Sequence, residues 1–201
     1  EQLTKTKPAH FESDLAMTFN NLGIFYRSVQ RMEEAEKHSL QALEIYERLV
    51  KTNPAKFEPY LANTVNNLGN FYCNVQRMEE AEKQHLLALE VRERLAKTNP
   101  AQFEHDLAST FNNLGIFYSD IQRSEEAEKH YLLALEAYER LARTNSAQFE
   151  PYLAIAANNL GIFYSDIQRN EEAEKHYLLA LEAYERLAKI NPVKFEPDLA
   201  G

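Results

Sequence analysis

With 201 residues, 44% of them apolar and 26% charged, the chain has the composition of a folded protein rather than a disordered one. Its net charge of −9 argues against a nucleic-acid partner, which would be held by clustered Lys and Arg, and disfavours acidic membrane surfaces for the same reason. No apolar run approaches the ~18 residues that span a bilayer and no leader pattern opens the chain, so the expected compartment is the cytoplasm. A single cysteine, Cys73, excludes an internal disulfide and a thiolate metal cluster.

Gly23, Gly69, Gly115 and Gly161 recur every 46 residues, and most of the prolines keep the same beat. In chain order, residues 1–7 (EQLTKTK) align with ERLVKTN at 47–53 and are expected to end a preceding helix B. Four repeats follow at 8–53, 54–99, 100–145 and 146–191, and 192–201 begins a further one, so the whole chain is expected to be one array cut from a longer protein. The third and fourth repeats are identical at 37 of 46 positions.

Each repeat reads as two helices and a connector. In the second repeat Leu61, Val65, Leu68, Gly69 and Tyr72 fall on one stripe of a helix A, and Ala81, His85, Ala88, Leu89, Leu95 and Ala96 on one stripe of a helix B. Glu79 and Glu80 in the first turn of B favour the positive end of its dipole, and Glu90 lies four residues before Arg94. Asn53-Pro54 and Asn99-Pro100 read as the cap and first residue of a short helical turn, after which Pro59 or Pro151 restarts the chain as helix A. Phe11, Phe57, Phe103, Phe149 and Phe195 in these connectors are expected to plug the gaps between repeats. A glycine inside a helix costs about 1 kcal/mol relative to Ala, so each is expected where helix A meets helix B closely, with Ala81 and Ala88 as small partners of Gly69.

Leu114, Gly115, Tyr118, Ala127, Tyr131 and Ala134 match in order and spacing the pattern of the tetratricopeptide repeat, which the chain resembles over nearly its whole length. The usual leading Trp is replaced by Phe19, Val65, Phe111 and Ala157. Longer repeats bearing the word NNL are similar to those of kinesin light chains and related bacterial proteins; here the extra residues would lengthen helix B and add the connector. The resemblance implies an all-α fold, a right-handed α-solenoid of antiparallel helix pairs with A helices lining a concave groove.

On a helical wheel Asn112, Ile116 and Ser119 lie opposite the buried stripe, with Asn113 beside them. The expected peptide-binding positions are therefore Asn20, Asn21 and Ile24; Asn66, Asn67 and Asn70; Asn112, Asn113 and Ile116; and Asn158, Asn159 and Ile162. Met17, Asn63, Ser109 and Ile155 lie one turn upstream, and Asp120 and Asp166 at the edge. Two readings of the asparagines stand side by side. Side-chain amides, each both donor and acceptor, can grip an extended peptide backbone, or they can bond to the neighbouring A helix and hold the repeats in register. A clamp for a peptide's terminal carboxylate is disfavoured because Arg27 is the only cation on this face; Asp120 and Asp166 favour neutral or basic segments over acidic ones.

No catalytic or phosphate-binding motif is present, and the histidines and EEAEK clusters recur with the repeats instead of forming one compact ligand set. The expected function is a non-enzymatic scaffold for a protein or peptide segment, without cofactor or metal. The alternatives are a structural spacer that self-associates end to end and a sensor arm of a larger protein.

Overall fold

The computed structural model describes residues 8–190, with side chains from residue 11 to 189, and among these all regular structure is helical. The A helices are α1 (Pro8–Ser28), α3 (Pro54–Asn74), α5 (Pro100–Asp120) and α7 (Ser146–Asp166). The B helices are α2 (Met32–Thr52), α4 (Met78–Thr98), α6 (Ser124–Thr144) and α8 (Asn170–Ile190). Expectations for residues 1–7, for 192–201 and for Phe195 lie outside the described residues. The chain divides between Pro100 and Ala101 into two compact units; α1–α4 build the first and α5–α8 the second.

Within a pair the helices run antiparallel. The Tyr46 hydroxyl near the end of α2 donates to the Ser13 carbonyl near the start of α1 (3.2 Å), while His38 stacks on Phe19 and Tyr26 further along. Each A helix with a B helix before it in the same unit packs on both: α3 lies against α2 and α4, and α7 against α6 and α8. Burial on two sides widens the apolar stripe. Leu61, Val65, Leu68 and Tyr72 are buried as the periodicity predicts, and so are Ala62, Thr64 and Phe71.

Helix A begins earlier than expected. Asn53 caps α3 by accepting from the Lys56 backbone N–H (3.2 Å), Pro54 takes the first helical position, and the helix continues through Pro59 without restarting. Asn145 caps α7 through the Gln148 N–H (3.2 Å), and that helix continues through Pro151. Position 105, which aligns with Pro59, is a histidine inside an equally continuous α5. The supposed connector is thus the first turns of helix A. Each helix has 21 residues, so the extra length is shared between A and B. Phe57 is buried as a plug, Phe103 and Phe149 are half-buried, and Phe11 is exposed because no B helix precedes α1 among the described residues.

The joint from B to A is a single asparagine: the Asn53 N–H closes α2 on the Leu49 carbonyl (3.0 Å) while its side chain opens α3. Asn145 does the same between α6 and α7. From A to B the chain turns through three residues, with Gln30, Gln76, Gln122 and Gln168 in the left-handed region at φ between 59° and 62°. The following arginine N–H returns to a tyrosine carbonyl of helix A, as from Arg123 to Tyr118 (2.8 Å), which closes the helix end.

The glycines do face helix B, but at Gly69, Gly115 and Gly161 the partner is a ring rather than Ala81 or Ala88. A Cβ on Gly69 would lie 2.7 Å from the His85 ring, on Gly115 2.6 Å from the Tyr131 ring, and on Gly161 2.8 Å from the Tyr177 ring. In the first repeat Ser39 replaces the ring and the backbone itself comes near, with the Ala35 carbonyl 3.2 Å from the Gly23 position. The glycine makes room for one flat side chain.

Glutamine in the left-handed region is strained by roughly 1 kcal/mol, a cost glycine avoids. Gln122→Gly is therefore expected to raise stability in urea denaturation by about 0.5–1 kcal/mol, and a decrease would contradict the strain reading.

Candidate functional site: the open face of the A helices

Because B helices cover two sides of α3 and of α7, only a narrow face of these two A helices stays accessible. On this side of the A helices Ile24 is 37%, Ile116 39% and Ile162 45% exposed, and Asn20, Asn66, Asn67, Asn70, Asn112, Asn113, Asn158 and Asn159 are half-buried; Asn21 is exposed. All the residues singled out from the sequence therefore lie on accessible helix surface. They line no single enclosed site.

The asparagines brace each other. In the first unit Asn67 Nδ2 donates to Asn20 Oδ1 (3.3 Å), and in the second Asn159 Nδ2 donates to Asn112 Oδ1 (3.1 Å). The second asparagine of one A helix thus meets the first asparagine of the A helix before it, as the register reading anticipated. Each of these amides keeps further hydrogen-bonding capacity. One turn upstream, Asn63 Oδ1 accepts from the buried Arg92 (2.7 Å), so a B-helix cation also reaches the edge of this face.

A second arrangement has no counterpart in the expectations. The tyrosine that ends each stripe carries the guanidinium of the turn arginine on its ring: Arg31 on Tyr26, Arg77 on Tyr72, Arg123 on Tyr118 and Arg169 on Tyr164, at 4.5–4.8 Å. Arg77 also bonds Glu80 (2.9 Å) and Glu36 of the preceding repeat (2.6 Å); Arg169 bonds Glu172 (2.9 Å) and Glu128 of the preceding repeat (2.8 Å). The Tyr164 hydroxyl joins Glu128 (2.8 Å). A 46-residue column of arginines in the sequence was the available signal.

His38, His130 and His176 pack on Tyr26, Tyr118 and Tyr164 in the A–B interface, at centroid separations of 5.3–5.5 Å. Burial holds His130 and His176 below the usual imidazole range and depresses His85 to about 4. Among the described residues no group of three or more metal-ligating side chains is placed to hold an ion, and no helix is long and apolar enough to cross a membrane.

Between α5 and α7 in the second unit the face deepens into a pocket of about 280 Å³. Ile116 and Ile162 form apolar walls, Asp120 and Asp166 stand at the helix ends, and the Tyr131 ring rises from α6 below.

Paired antiparallel helices stacked A beside A, with one face left open, define the α-solenoid class of repeat proteins. A family model described as "Tetratricopeptide repeat" matches residues 15–55, 61–101, 107–144 and 153–192. The chain belongs to the tetratricopeptide repeat family, whose members form non-enzymatic protein-interaction scaffolds in general. Comparison with curated protein sequences gives no match. Among solved structures, that of BtubC (BKLC) from P. vanneervenii is similar with a TM-score of 0.72 at 23% identity, over 92% of this chain and 68% of that one. The apo form of RapI is similar with a TM-score of 0.70 at 18% identity, over 94% of this chain and 61% of that one. The chain thus spans about two thirds of the length of these structures, and the likeness is one of fold.

His85, His130 and His176 give the array a specific acid sensitivity. Their neutral forms are the folded ones, so the stability they contribute is complete above pH 6.5 and is lost as pH falls below it, for His85 down to about 4. Between pH 7 and 5, His85 alone is expected to remove about 2 kcal/mol of unfolding free energy, measured by urea denaturation. The turn glutamates Glu34, Glu80, Glu126 and Glu172, held below their usual range by hydrogen bonds from arginine, add a loss only below about pH 4.5. Constant stability from pH 7 to 5 would contradict this assignment.

Proposed function

We propose that the chain is a non-enzymatic scaffold that binds a peptide or protein segment along the open face of its A helices. The observation that carries this reading is the row of exposed isoleucines interleaved with asparagines. Ile24, Ile116 and Ile162 stand outside the buried helix-pair core, and each lies one turn beyond amides that keep hydrogen-bonding capacity. Isoleucine side chains supply apolar contact, and amides match the alternating N–H and C=O of an extended backbone irrespective of its sequence. The Asn67–Asn20 and Asn159–Asn112 bonds fit the same use, since they fix the amides that would otherwise need ordering on binding. The face offers cations only at its margins, which favours neutral or basic segments over acidic ones.

The B helices also expose a column of apolar residues, Leu40, Leu86, Leu132 and Leu178, at 42–52%. These lie among the solvated glutamates of helix B, without a matching row of amides. The two faces are separable by mutation. Ile116→Glu with Ile162→Glu is expected to lower capture of binding partners from the native lysate at least tenfold, with helicity by circular dichroism unchanged. Leu132→Glu with Leu178→Glu is expected to leave capture intact. The reverse pattern would move the binding face to the B helices.

A further inference from the structure

The pocket between α5 and α7 differs from the rest of the face in its charge and in its floor. Asp120 is the last residue of α5 and Asp166 the last of α7, so two carboxylates stand where two helix dipoles present their negative ends. Neither carboxylate has a hydrogen-bond or ion-pair partner among the described residues. Below them Tyr131 is only 5% exposed; its hydroxyl has no hydrogen-bond partner among the described residues, although its ring lines the pocket and packs on Phe163 at 5.5 Å. The side chain is buried as a whole while its hydroxyl is reachable from the pocket, where a ligand can bond to it. The Gly115 contact holds the Tyr131 ring in place beneath the pocket.

The corresponding positions of the first unit show what has changed. There Ser28 stands for Asp120, Asn74 for Asp166 and Ser39 for Tyr131, while Arg27 replaces Ser119. The first unit has no carboxylate in this place and carries a guanidinium instead. The acidic pair belongs to the third and fourth repeats, which share the stretch NNLGIFYSDIQR, and is absent from the first two.

The geometry points to a subsite in the second unit for the side chain of a lysine or arginine from a bound peptide, its cationic head between Asp120 and Asp166 and its methylene stem between Ile116 and Ile162. This rests on the open-face binding reading and specifies its ligand. The head donates to both carboxylates and to the Tyr131 oxygen, and these charge-assisted bonds give it partners that a neutral side chain cannot use. Burial shifts the Asp120 carboxyl and the Tyr131 phenol upward, and the nearby Asp120 and Asp166 raise Tyr131 further, so the phenol stays neutral and able to accept from a cation. A metal ion is a poorer occupant, because two carboxylates and a neutral phenol under two isoleucines are a sparse ligand set with apolar walls. A flexible apolar stem ending in a cation fits both features.

The test uses the full 201-residue chain with isoleucine methyl groups labelled for NMR. It is titrated with blocked alanine–isoleucine heptapeptides whose central residue is lysine, arginine, norleucine or glutamate. The lysine and arginine peptides are expected to shift the Ile116 and Ile162 methyl signals at concentrations at least tenfold lower than the norleucine peptide, leaving Ile24 in place. Asp120→Asn with Asp166→Asn is expected to abolish that preference, and Tyr131→Phe, which keeps the ring against Gly115, to weaken it severalfold. Norleucine or glutamate binding as tightly as lysine, or a preference that survives in the Asp120→Asn/Asp166→Asn variant, overturns the cation subsite while leaving the open face a peptide site. No shift with any of the four peptides overturns both.

Discussion

A flat side chain of helix B lying against a glycine of helix A sets the geometry on which the rest depends. Its ring fills the space a Cβ would need at Gly69, Gly115 and Gly161, and this fixes the rotation of helix A about its own axis. With that face committed to its own B helix, and a second face covered by the B helix before it in the unit, only one side is left. The residues on that side are asparagine, isoleucine and, in the second unit, aspartate. A helix turned by one residue would bring Asn112 or Ile116 into the interface and bury amides without partners, at a cost of about 1–3 kcal/mol each.

Polar contacts refine this arrangement without producing it. The turn arginines, stacked on tyrosine and bonded to the glutamate three residues on, with Arg77 and Arg169 also reaching the preceding repeat, are 41–54% exposed, and pairs of that kind contribute about 1 kcal/mol or less. Their effect is directional, because a planar guanidinium held by a ring and two carboxylates admits few alternative placements of the helix ends. The asparagine bonds between successive A helices act likewise on the open side. Core packing thus sets how far apart the helices lie, and these pairs set how they slide.

Much of this was legible in the sequence. Gly23, Gly69, Gly115 and Gly161 gave the period, the helical stripes gave the pairing, and the wheel put Asn112 and Ile116 on the open side. The start of helix A was misread because Pro59 and Pro151 were taken as breaks. A proline six residues into a helix lacks one hydrogen bond near the end, where the chain is already poorly bonded, and Ser13 and His105 at the same position showed that no break was required. The glycine partner was misassigned because spacing gives the face of a residue but not the height at which a ring arrives across an interface. For the asparagines both roles were weighed, and the inter-helix bonds depend on a stagger between A helices that periodicity within one helix does not contain. The pocket at Asp120, Asp166 and Tyr131 draws on three helices, so no single stretch of sequence displays it.

The central claim concerns one contact, and a double-mutant cycle addresses it directly. Gly115→Ala should improve helix propensity by about 1 kcal/mol, yet with Tyr131 present it is expected to destabilise the protein by about 1–3 kcal/mol in urea denaturation, since the ring must move. In a Tyr131→Ala background the same substitution is expected to stabilise. Gly115→Ala that is stabilising with Tyr131 in place, or equally destabilising without it, would contradict the account.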